Sequence, residues 1–358
     1  MIFHARQPVL ITGGAGFIGT NLADRLLSAG QPVLLFDNLS RRGVRQNLEW
    51  LSARHGRLLE LVLADVREPA KVRRAVGRAS AVFHLAAQVA VTSSLTDPVT
   101  DFEINAGGTL NVLEALRAQS APPPLLYTST NKVYGTLSDM AVSLRDGRYG
   151  PQDDELRASG ISEERPLAFH SPYGCSKGAA EQYVLDYARI YHLPAVVFRM
   201  SCIYGPHQRG SEDQGWVAHF LLRVLEGQPL TVFGDGRQVR DALYADDLVD
   251  AMLAAVVNLD KTRGLAFNIG GGPDNVLSLL DLLDQARALH GTCPAVRFAD
   301  WRPADQKYYV SNCARFSGLT GWRPAVGVQE GVRRLYQYLR QTEQTTQDGP
   351  TAAVGAVP

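Results

Sequence analysis

The sequence lacks three things: a net charge, a long apolar run and clustered cysteines. Its 358 residues carry 36 Lys and Arg against 36 Asp and Glu, so the formal net charge is zero. A nucleic-acid partner or an anionic membrane surface would favour a basic excess, and we expect neither. No apolar run approaches the roughly 18 residues of a membrane span. Residues 1–9 also lack the extended apolar stretch of a secretory signal, so we expect none.

Cysteine is scarce and widely spaced. The four cysteines are Cys175, Cys202, Cys293 and Cys313, and no two form a C-x-x-C pair. This spacing argues against a zinc site and against a disulfide framework. We therefore expect no bound metal, reduced thiols and a cytoplasmic location. The length suits about two domains or one large α/β unit.

Short apolar segments alternate with amphipathic segments through the first half of the chain. Strands are predicted at Val9–Thr12, Val33–Asp37, Leu59–Leu63, Ala81–Leu85, Leu125–Thr128 and Ala195–Arg199. Helices are predicted between them at Ile18–Ala29, Ala70–Val76, Phe102–Leu116 and Ser176–Tyr191. This alternation predicts an α/β fold, a doubly wound parallel sheet of about six or seven strands with helices on both faces.

The pattern changes after about residue 200, where strands become sparse and glycine and proline interrupt the chain. We predict a first domain over residues 1–200, rejoined by about 241–262, and a smaller C-terminal α/β domain over 201–340. The composition of residues 341–358 predicts a disordered tail. The polar segment Gly135–Pro166 is either a functional insertion or a mobile surface loop.

A glycine-rich turn follows the first predicted strand and precedes the first predicted helix. In Gly13-Gly-Ala-Gly16-Phe-Ile-Gly19, Gly13 permits the tight turn and Gly16 lets a pyrophosphate approach the backbone. Gly19 lets the helix pack closely on the strand. Free N–H groups at the helix N-terminus favour an anion. Strand, turn and helix together predict a dinucleotide site.

Acidic residues at the ends of the next two predicted strands extend this site. Asp37 is placed to accept hydrogen bonds from the adenine ribose, and its charge favours NAD over NADP. Arg41 and Arg42 follow, and they either argue for a 2′-phosphate or are solvated loop charges. Asp65, followed by Val66, is either an adenine contact or a simple turn residue.

Three side chains form a candidate catalytic group. Tyr173 and Lys177 have the i, i+4 spacing that places both on one face of a predicted helix. A phenol with a pKa of about 10 is a poor base at neutral pH. We expect a nearby ammonium, together with the positive ring of oxidised nicotinamide, to stabilise the phenolate and lower that pKa. Thr130 follows an apolar strand, and it is either a partner of the same substrate hydroxyl or part of an ordinary strand-end hydroxyl cluster.

Taken together, these motifs resemble the extended short-chain dehydrogenase/reductase family, the nucleotide-sugar epimerases and dehydratases with a Rossmann fold. Further matching segments are His84-Leu-Ala-Ala87, Asn105-Ala-Gly-Gly-Thr109, Tyr204-Gly-Pro206 and Phe267-Asn-Ile-Gly-Gly271. The resemblance implies bound NAD and a catalytic triad of Thr130, Tyr173 and Lys177. The implied cofactor contacts are Gly13, Gly16, Phe17, Ile18, Gly19, Asp37, Asn38, Ser40, Arg41, Asp65, Val66, Leu85, Ala86, Ala87, Gln88, Asn105, Thr128, Tyr173 and Lys177.

The two residues after Thr130 bear on the reaction. The 4,6-dehydratases of the family carry Asp-Glu there, the acid/base pair that eliminates water, whereas this chain has Asn131 and Lys132. Dehydration is therefore disfavoured. The runs around Asn131 and around Tyr173, and Asp213-Gln-Gly-Trp216-Val, resemble the branch of CDP-paratose 2-epimerases, which implies inversion at sugar C2.

Inversion at C2 needs a redox route because the C2 hydrogen of the sugar is not acidic. The resemblance implies that Tyr173 takes the C2 hydroxyl proton while a hydride passes to NAD. The 2-keto sugar then turns over, and the hydride returns to its opposite face. The expected substrate contacts are Gln88, Thr130, Asn131, Lys132, His170, Gln208, Gln238, Arg240, Arg302 and Asp305.

Within that set, the arginines suit the diphosphate, since guanidinium binds phosphate in a bidentate manner. Asp305 either meets a ribose hydroxyl or holds an arginine. Many relatives bind the diphosphate through an Asn at the position that Cys202 occupies here. The backbone or another side chain must replace that contact.

Two alternative functions share most of these features. A UDP-sugar 4-epimerase would use the same triad and differ only in the orientation of the sugar. A non-catalytic NAD-sensing module would keep the fold, although such proteins commonly lose the tyrosine or the lysine. The expected partners are a nucleotide-diphosphate sugar and a second subunit. Related enzymes pair helices equivalent to Phe102–Leu116 and Ser176–Tyr191 in a homodimer or a dimer of dimers.

Overall fold

The computed structural model describes residues 7–302 and 305–347, which form a large parallel sheet with helices and a smaller region of short strands. The strands are β1 (Val9–Thr12), β2 (Val33–Asp37), β3 (Leu59–Leu63), β4 (Ala81–His84), β5 (Leu125–Thr130), β6 (Val142–Arg145), β7 (Arg148–Pro151), β8 (Ala195–Met200), β9 (Cys202–Tyr204), β10 (Leu230–Phe233), β11 (Val239–Tyr244), β12 (Ala266–Ile269), β13 (Val276–Ser278), β14 (Val296–Ala299) and β15 (Tyr308–Tyr309).

The α-helices are α1 (Phe17–Ser28), α2 (Val44–His55), α3 (Pro69–Val76), α4 (Val91–Thr96), α5 (Pro98–Phe102), α6 (Gly108–Arg117), α7 (Asp154–Ser159), α8 (Ser171–Ile190), α9 (Trp216–Leu225), α10 (Ala245–Val257), α11 (Leu259–Thr262), α12 (Leu279–His290), α13 (Ala314–Thr320) and α14 (Val328–Gln347). A π-helical turn, Glu103–Gly107, joins α5 to α6. The helix predicted at Phe102–Leu116 is therefore interrupted near its start.

Seven parallel strands form the central sheet in the order β12-β8-β5-β4-β1-β2-β3, which confirms the predicted doubly wound fold. Alternate residues of β1 enter opposite cores: Val9 and Ile11 pack with α1 and α10, and Leu10 packs with α3 and α6. The strand order reverses between β1 and β4. Parallel sheets open a ligand crevice at the carboxyl ends of their strands at such a point.

The edge strand β12 and the helix α10 come from the chain beyond residue 200. The helix lies inside the segment 241–262 that we predicted to rejoin the first domain, but β12 lies beyond it and pairs with β8. Its four residues lie between Gly264 and Gly270, so the sequence has no long apolar run to indicate a strand there.

The smaller region surrounds β11, which pairs with β9, β13 and β15, and a second pair joins β10 to β14. Helices α9, α12 and α14 bury their apolar faces in this region. The segment Gly135–Pro166 forms the hairpin β6–β7 and the helix α7. Tyr149 donates its N–H to the Arg237 carbonyl (3.0 Å), and Arg148 pairs with Asp281 (2.8 Å), so this segment is docked on the smaller region.

The C-terminal helix extends past residue 340, the predicted end of the smaller domain. Leu335 and Leu339 anchor α14 in the core of the smaller region, and the helix continues to Gln347, through the start of the predicted disordered tail. Residues 348–358 lie outside the described residues. Within the described ranges, no helix has both the length and the apolar character needed to cross a bilayer. The same part of the chain contains no group of three or more His, Cys, Asp or Glu side chains arranged for a metal.

Candidate active site

A cleft of about 500 Å³ lies between the carboxyl ends of the central strands and the smaller region. Its walls include the glycine turn before α1, the ends of β2, β4 and β5, and the first turns of α8. The smaller region contributes residues of β9, β10 and β11 and the N-terminus of α9. The predicted dinucleotide site and the residues predicted to bind the diphosphate therefore line the same cleft.

The glycine turn leaves no room for side chains. Gly13 has a φ of +67°, and a Cβ there would lie 2.8 Å from the backbone nitrogen of Ala86. A Cβ at Gly19 would lie 2.6 Å from the Gly13 carbonyl oxygen. No side chain caps α1 at Gly16, so its first N–H groups are available to an anion. These residues fit the pyrophosphate of a dinucleotide.

Asp37 ends β2 at the edge of the cleft. Its carboxylate accepts the N–H groups of Ala15 (3.0 Å) and Leu39 (2.8 Å), while burial raises its pKa. Arg41 donates to Gln214 in the smaller region, so it is more than a solvated loop charge. Asp65 also lines the cleft; its hydrogen bond with Arg67 holds its pKa at about 2.

The three predicted catalytic side chains lie together and are almost fully buried. Tyr173 is 8% exposed, Thr130 7% and Lys177 3%. Thr130 is the last residue of β5, two residues past the predicted end of that strand. Helix α8 begins at Ser171 rather than at the predicted Ser176 because Pro172 suits the first turn of a helix. Tyr173 and Lys177 therefore both lie within α8.

Burial governs the ionisation of the triad. Burial raises the pKa of Tyr173 to about 12, although a hydrogen bond with Thr130 and the charge of Arg41 lower it. Burial also lowers the pKa of Lys177 to about 7. The Lys177 ammonium donates to the Thr128 carbonyl (2.6 Å) and lies 4.3 Å from the centroid of the Tyr127 ring. In the protein alone, desolvation therefore outweighs the nearby charges at Tyr173.

Cations from two sides of the cleft meet at Asp305. Arg240 donates to Asp305 Oδ1 (2.7 Å), and the Lys132 ammonium lies 3.7 Å from the same oxygen. Asp305 therefore holds an arginine, one of the two roles that we considered. Burial opposes ionisation of Asp305, but Arg240 and Lys132 lower its pKa overall. Arg302 stacks on Phe233, with its guanidinium carbon 3.9 Å from the ring centroid.

Polar neutral side chains complete this part of the cleft. Asn131 lines it beside Thr130. Gln208 and Gln238 also line it, and each donates its amide to a backbone carbonyl, of Ile203 (3.2 Å) and Phe233 (2.7 Å) respectively. Cys202 lines the cleft too, and burial raises its pKa to about 12, so it is a neutral thiol.

Most of the predicted contacts line the cleft, and three do not. The remaining cofactor candidates on its walls are Phe17, Ile18, Asn38, Ser40, Val66, Leu85, Ala86, Ala87 and Thr128. Gln88 and Asn105 are not on the walls, because they hydrogen-bond to each other and to Asp101 behind the loop that follows β4. His170 is exposed at the residue before α8 and also lies off the walls.

Sequence reasoning missed the buried carboxylate of Asp101. It accepts hydrogen bonds from Gln88 (3.1 Å), Asn105 (3.2 Å) and the hydroxyl of Ser176. Ser176 lies between Tyr173 and Lys177 on α8, so this carboxylate ties the catalytic helix to the loop after β4. Asp101 lies just before the predicted helix Phe102–Leu116, between Thr100 and Phe102, so no pattern in the sequence indicated it.

A second buried network joins α8 to the strands β5, β8 and β12 beside the site. Glu181 of α8 pairs with Arg199 of β8 (2.6 Å) and accepts the hydroxyl of Ser129 in β5 (2.6 Å). Arg199 donates to the Tyr134 hydroxyl (2.8 Å), which donates to Asn268 of β12 (2.8 Å). The network joins the strand that bears Thr130 to the helix that bears Tyr173.

Comparison with known proteins gives four consistent results. The model of the NAD dependent epimerase/dehydratase family matches residues 9–270. A CDP-paratose 2-epimerase from Salmonella typhi is 44% identical over 92% of this chain and 98% of its own length. The UDP-glucose 4-epimerase of Thermotoga maritima, solved with UDP-glucose, has a TM-score of 0.80 at 29% identity and covers 94% of this chain and 99% of its own. That of Thermus thermophilus, solved with NAD, has a TM-score of 0.76 at 33% identity, covering 93% and 99%.

Proposed function

This chain belongs to the NAD dependent epimerase/dehydratase family, and from that membership we propose that it inverts C2 of a CDP-sugar of the paratose type. The observation that carries the proposal is the single cleft in which Thr130, Tyr173 and Lys177 lie between the glycine turn and Arg240. The identity to the Salmonella typhi CDP-paratose 2-epimerase, over nearly the whole of both chains, supports C2 as the reacting carbon.

Proton transfer falls to Tyr173 in this proposal. The chemistry that bound NAD supplies is reversible hydride transfer at the carbon whose hydroxyl Tyr173 deprotonates. Thr130 orients the phenol through their hydrogen bond, which also favours the phenolate. Burial opposes that phenolate, so the site needs the positive charges of Arg41 and Lys177 close by. Tyr173 returns the proton after the sugar has turned over.

The diphosphate is anchored by the smaller region while the sugar moves. Arg240 and Arg302 are the guanidinium groups on that side of the cleft, and guanidinium matches phosphate oxygens in pairs. We propose that Gln208 and Gln238 position the nucleotide, and that Asp305 aligns Arg240. Gln88, Asn105 and His170 act on the loop after β4 and on the start of α8 rather than on the ligands.

Dehydration is not supported by the residues beside the triad. Asn131 and Lys132 occupy the positions where the dehydratases carry Asp-Glu, and neither is a carboxylic acid. A UDP-sugar 4-epimerase is the alternative enzyme function, since the two solved structures named above are UDP-glucose 4-epimerases with this overall fold. A non-catalytic module is disfavoured because all three triad residues are present and line the same cleft.

The assembly and location of the enzyme are also proposals. Exposed apolar side chains occur on α5 and α8, including Phe102, Tyr183 and Ile190, and we propose that two subunits pair through these helices. All four cysteines are free thiols. Free thiols suit a reducing compartment, and we propose the cytoplasm.

The purified protein is incubated with CDP-paratose, and the product is examined by NMR. We expect inversion at C2, and we expect mass spectrometry of the denatured protein to reveal NAD. Tyr173→Phe removes the proton acceptor but keeps the ring, so turnover should fall by about 10²–10⁴-fold with NAD still bound. Incubation with UDP-glucose is the control for the alternative. Inversion at C4 alone, or full activity of Tyr173→Phe, contradicts the proposal.

A further inference from the structure

Lys132 connects the triad to the cations of the smaller region. It belongs to the short turn after β5, and its N–H donates to the Thr130 hydroxyl (3.2 Å). Its carbonyl oxygen packs against Gly174, the neighbour of Tyr173, where a Cβ would lie 3.3 Å away. Its ammonium reaches across to Asp305 Oδ1 (3.7 Å), which also accepts Arg240. The backbone of Lys132 is thus fixed to the triad while its charge lies with the arginine.

The identity of the reacting carbon determines how far the diphosphate lies from the triad. In a nucleotide-diphosphate sugar, the phosphate next to the sugar is joined through oxygen to C1. C2 is bonded directly to C1, whereas C4 lies across the ring from it. When C2 faces Tyr173, that phosphate must therefore lie nearer the triad than when C4 does. Reaction at C2 calls for a phosphate ligand that is itself attached to the catalytic strand end.

We propose that Lys132 binds the phosphate next to the sugar and thereby presents C2, rather than C4, to Tyr173. This role rests on the proposed function and makes Lys132 its specificity-determining residue. Asp305 holds the Lys132 ammonium and the Arg240 guanidinium at one oxygen. The two cations are therefore positioned together before a ligand arrives, and charge-assisted hydrogen bonds to phosphate oxygens reward such an arrangement.

The local charges agree with a dianionic ligand. Lys132, Arg240 and Arg302 carry three positive charges, and their partners Asp305 and Asp213 carry two negative charges. Among these five side chains the surplus is one positive charge, so a diphosphate has to displace one carboxylate. The contact between Arg302 and Asp213, at 3.8 Å, is the looser of the arginine pairs. Asp305 therefore stays with Lys132 and Arg240 while Arg302 turns to the ligand.

Binding of CDP and CMP to wild type and to Lys132→Met tests this role by calorimetry. CDP contains the phosphate assigned to Lys132, and CMP lacks it. We expect the variant to lose about 10- to 100-fold in CDP affinity, as loss of one partner of a partly buried charge pair does. Its CMP affinity and its NAD content should stay within about threefold of wild type. Equal losses for both nucleotides, or an unchanged CDP affinity, would overturn the role.

Two further variants serve as controls. Lys71→Met removes a partly exposed lysine of α3 whose partner is the partly exposed Glu68, and both nucleotide affinities should stay unchanged. Lys132→Arg keeps the charge, and we expect most of the preference for CDP over CMP to return. Asp305 retains Arg240 in every variant, so no buried carboxylate is left without a cation. The proposed role of the Lys132 charge is contradicted if Lys132→Arg has the melting temperature of wild type but the nucleotide affinities of Lys132→Met.

A substrate with hydroxyls at both carbons separates this inference from the proposed function. CDP-glucose offers C2 and C4 to the same site, and NMR identifies the inverted carbon. We expect wild type to favour C2 and Lys132→Met to lose that preference. Wild-type protein that inverts neither carbon contradicts the proposed function, while the nucleotide affinities still test Lys132. C2 inversion with an unchanged ratio of CDP to CMP affinity in Lys132→Met overturns the role of Lys132 alone.

Discussion

Asp101 is a buried carboxylate whose charge acts on the triad. Desolvation has the largest effect on the pKa values of Tyr173 and Lys177, and the negative charge of Asp101 acts to raise both. The three donors that hold it, Gln88, Asn105 and Ser176, are neutral. Burial raises the pKa of Asp101, while the Ser176 hydroxyl and the charge of Lys177 favour its ionised form.

Asp101→Asn should move the whole pH profile of kcat to lower pH. Because the pKa of Lys177 (about 7) lies below that of Tyr173 (about 12), Lys177 sets the acidic limb and Tyr173 the alkaline limb. Loss of the negative charge lowers both pKa values, so both limbs shift down. We expect each shift to be roughly one pH unit. Asp186→Asn, at a partly exposed position of α8, should leave both limbs in place; a fall in kcat without a shift would indicate a purely structural role for Asp101.

The residues of the site were predicted from sequence where chemistry fixed the spacing. The i, i+4 spacing predicted that Tyr173 and Lys177 lie on one face of a helix. The strand–turn–helix order predicted that the three glycines form the turn between β1 and α1. The hydrogen-bond partner of the Lys177 ammonium could not be predicted. It is the carbonyl of Thr128, which lies near Lys177 only in the folded chain and competes with the phenol of Tyr173. For the same reason, the sequence did not indicate that Gln88 and Asn105 hydrogen-bond to each other rather than line the cleft.

At the scale of elements, the pair of Glu181 and Arg199 fixes α8 on the sheet. The side chains of both residues are almost fully buried, at 0% and 7% exposure. Glu181→Ala leaves a buried guanidinium without its carboxylate, and such losses typically cost about 3–5 kcal/mol. Denaturant unfolding of the NAD-loaded enzyme measures this change.

The matched control for that experiment is an exposed ion pair. Glu330 pairs with Arg333 and Arg334 on the solvent side of α14, and Glu330→Ala should change the free energy of unfolding little, since exposed pairs contribute little. Equal effects of Glu181→Ala and Glu330→Ala would contradict the supporting role of the buried pair.

Strands of the first half were predicted closely because each is a short apolar run between polar segments. β1, β2 and β3 have the predicted bounds. β5 extends beyond its predicted end by Ser129 and Thr130, and β8 extends by Met200; all three residues line the cleft. The hairpin β6–β7 was not predicted, because Val142 and Leu144 alternate with polar residues over only four positions. Its stability comes from docking on Arg237 and Asp281, contacts that are distant in sequence.

At the scale of the whole molecule, the apolar face of α5 and α8 is the expected subunit contact. Phe102 is 59% exposed on α5, and Tyr183 and Ile190 are exposed on α8. Sedimentation at micromolar concentration should show a dimer or a larger even assembly. A charge in such a contact is costly without a partner, so Phe102→Asp should shift the protein toward monomers.

Phe298→Asp is the control for that substitution. Phe298 is 61% exposed on β14, in the smaller region, and the same change there should leave the assembly intact. A wild-type monomer, or a loss of assembly in both variants, would contradict the assignment of the interface to α5 and α8.

The position of β12 has a consequence for synthesis of the protein. This edge strand is made only after the chain has passed through β9, β10, β11 and α10, yet it closes the sheet beside β8 and supplies Asn268 to the buried network. A nascent chain that ends near residue 200 has six of the seven strands and an unpaired edge at β8. The central sheet therefore cannot be completed on the ribosome before β12 has been synthesised. An excised fragment of residues 1–200 should aggregate through the unpaired edge of β8.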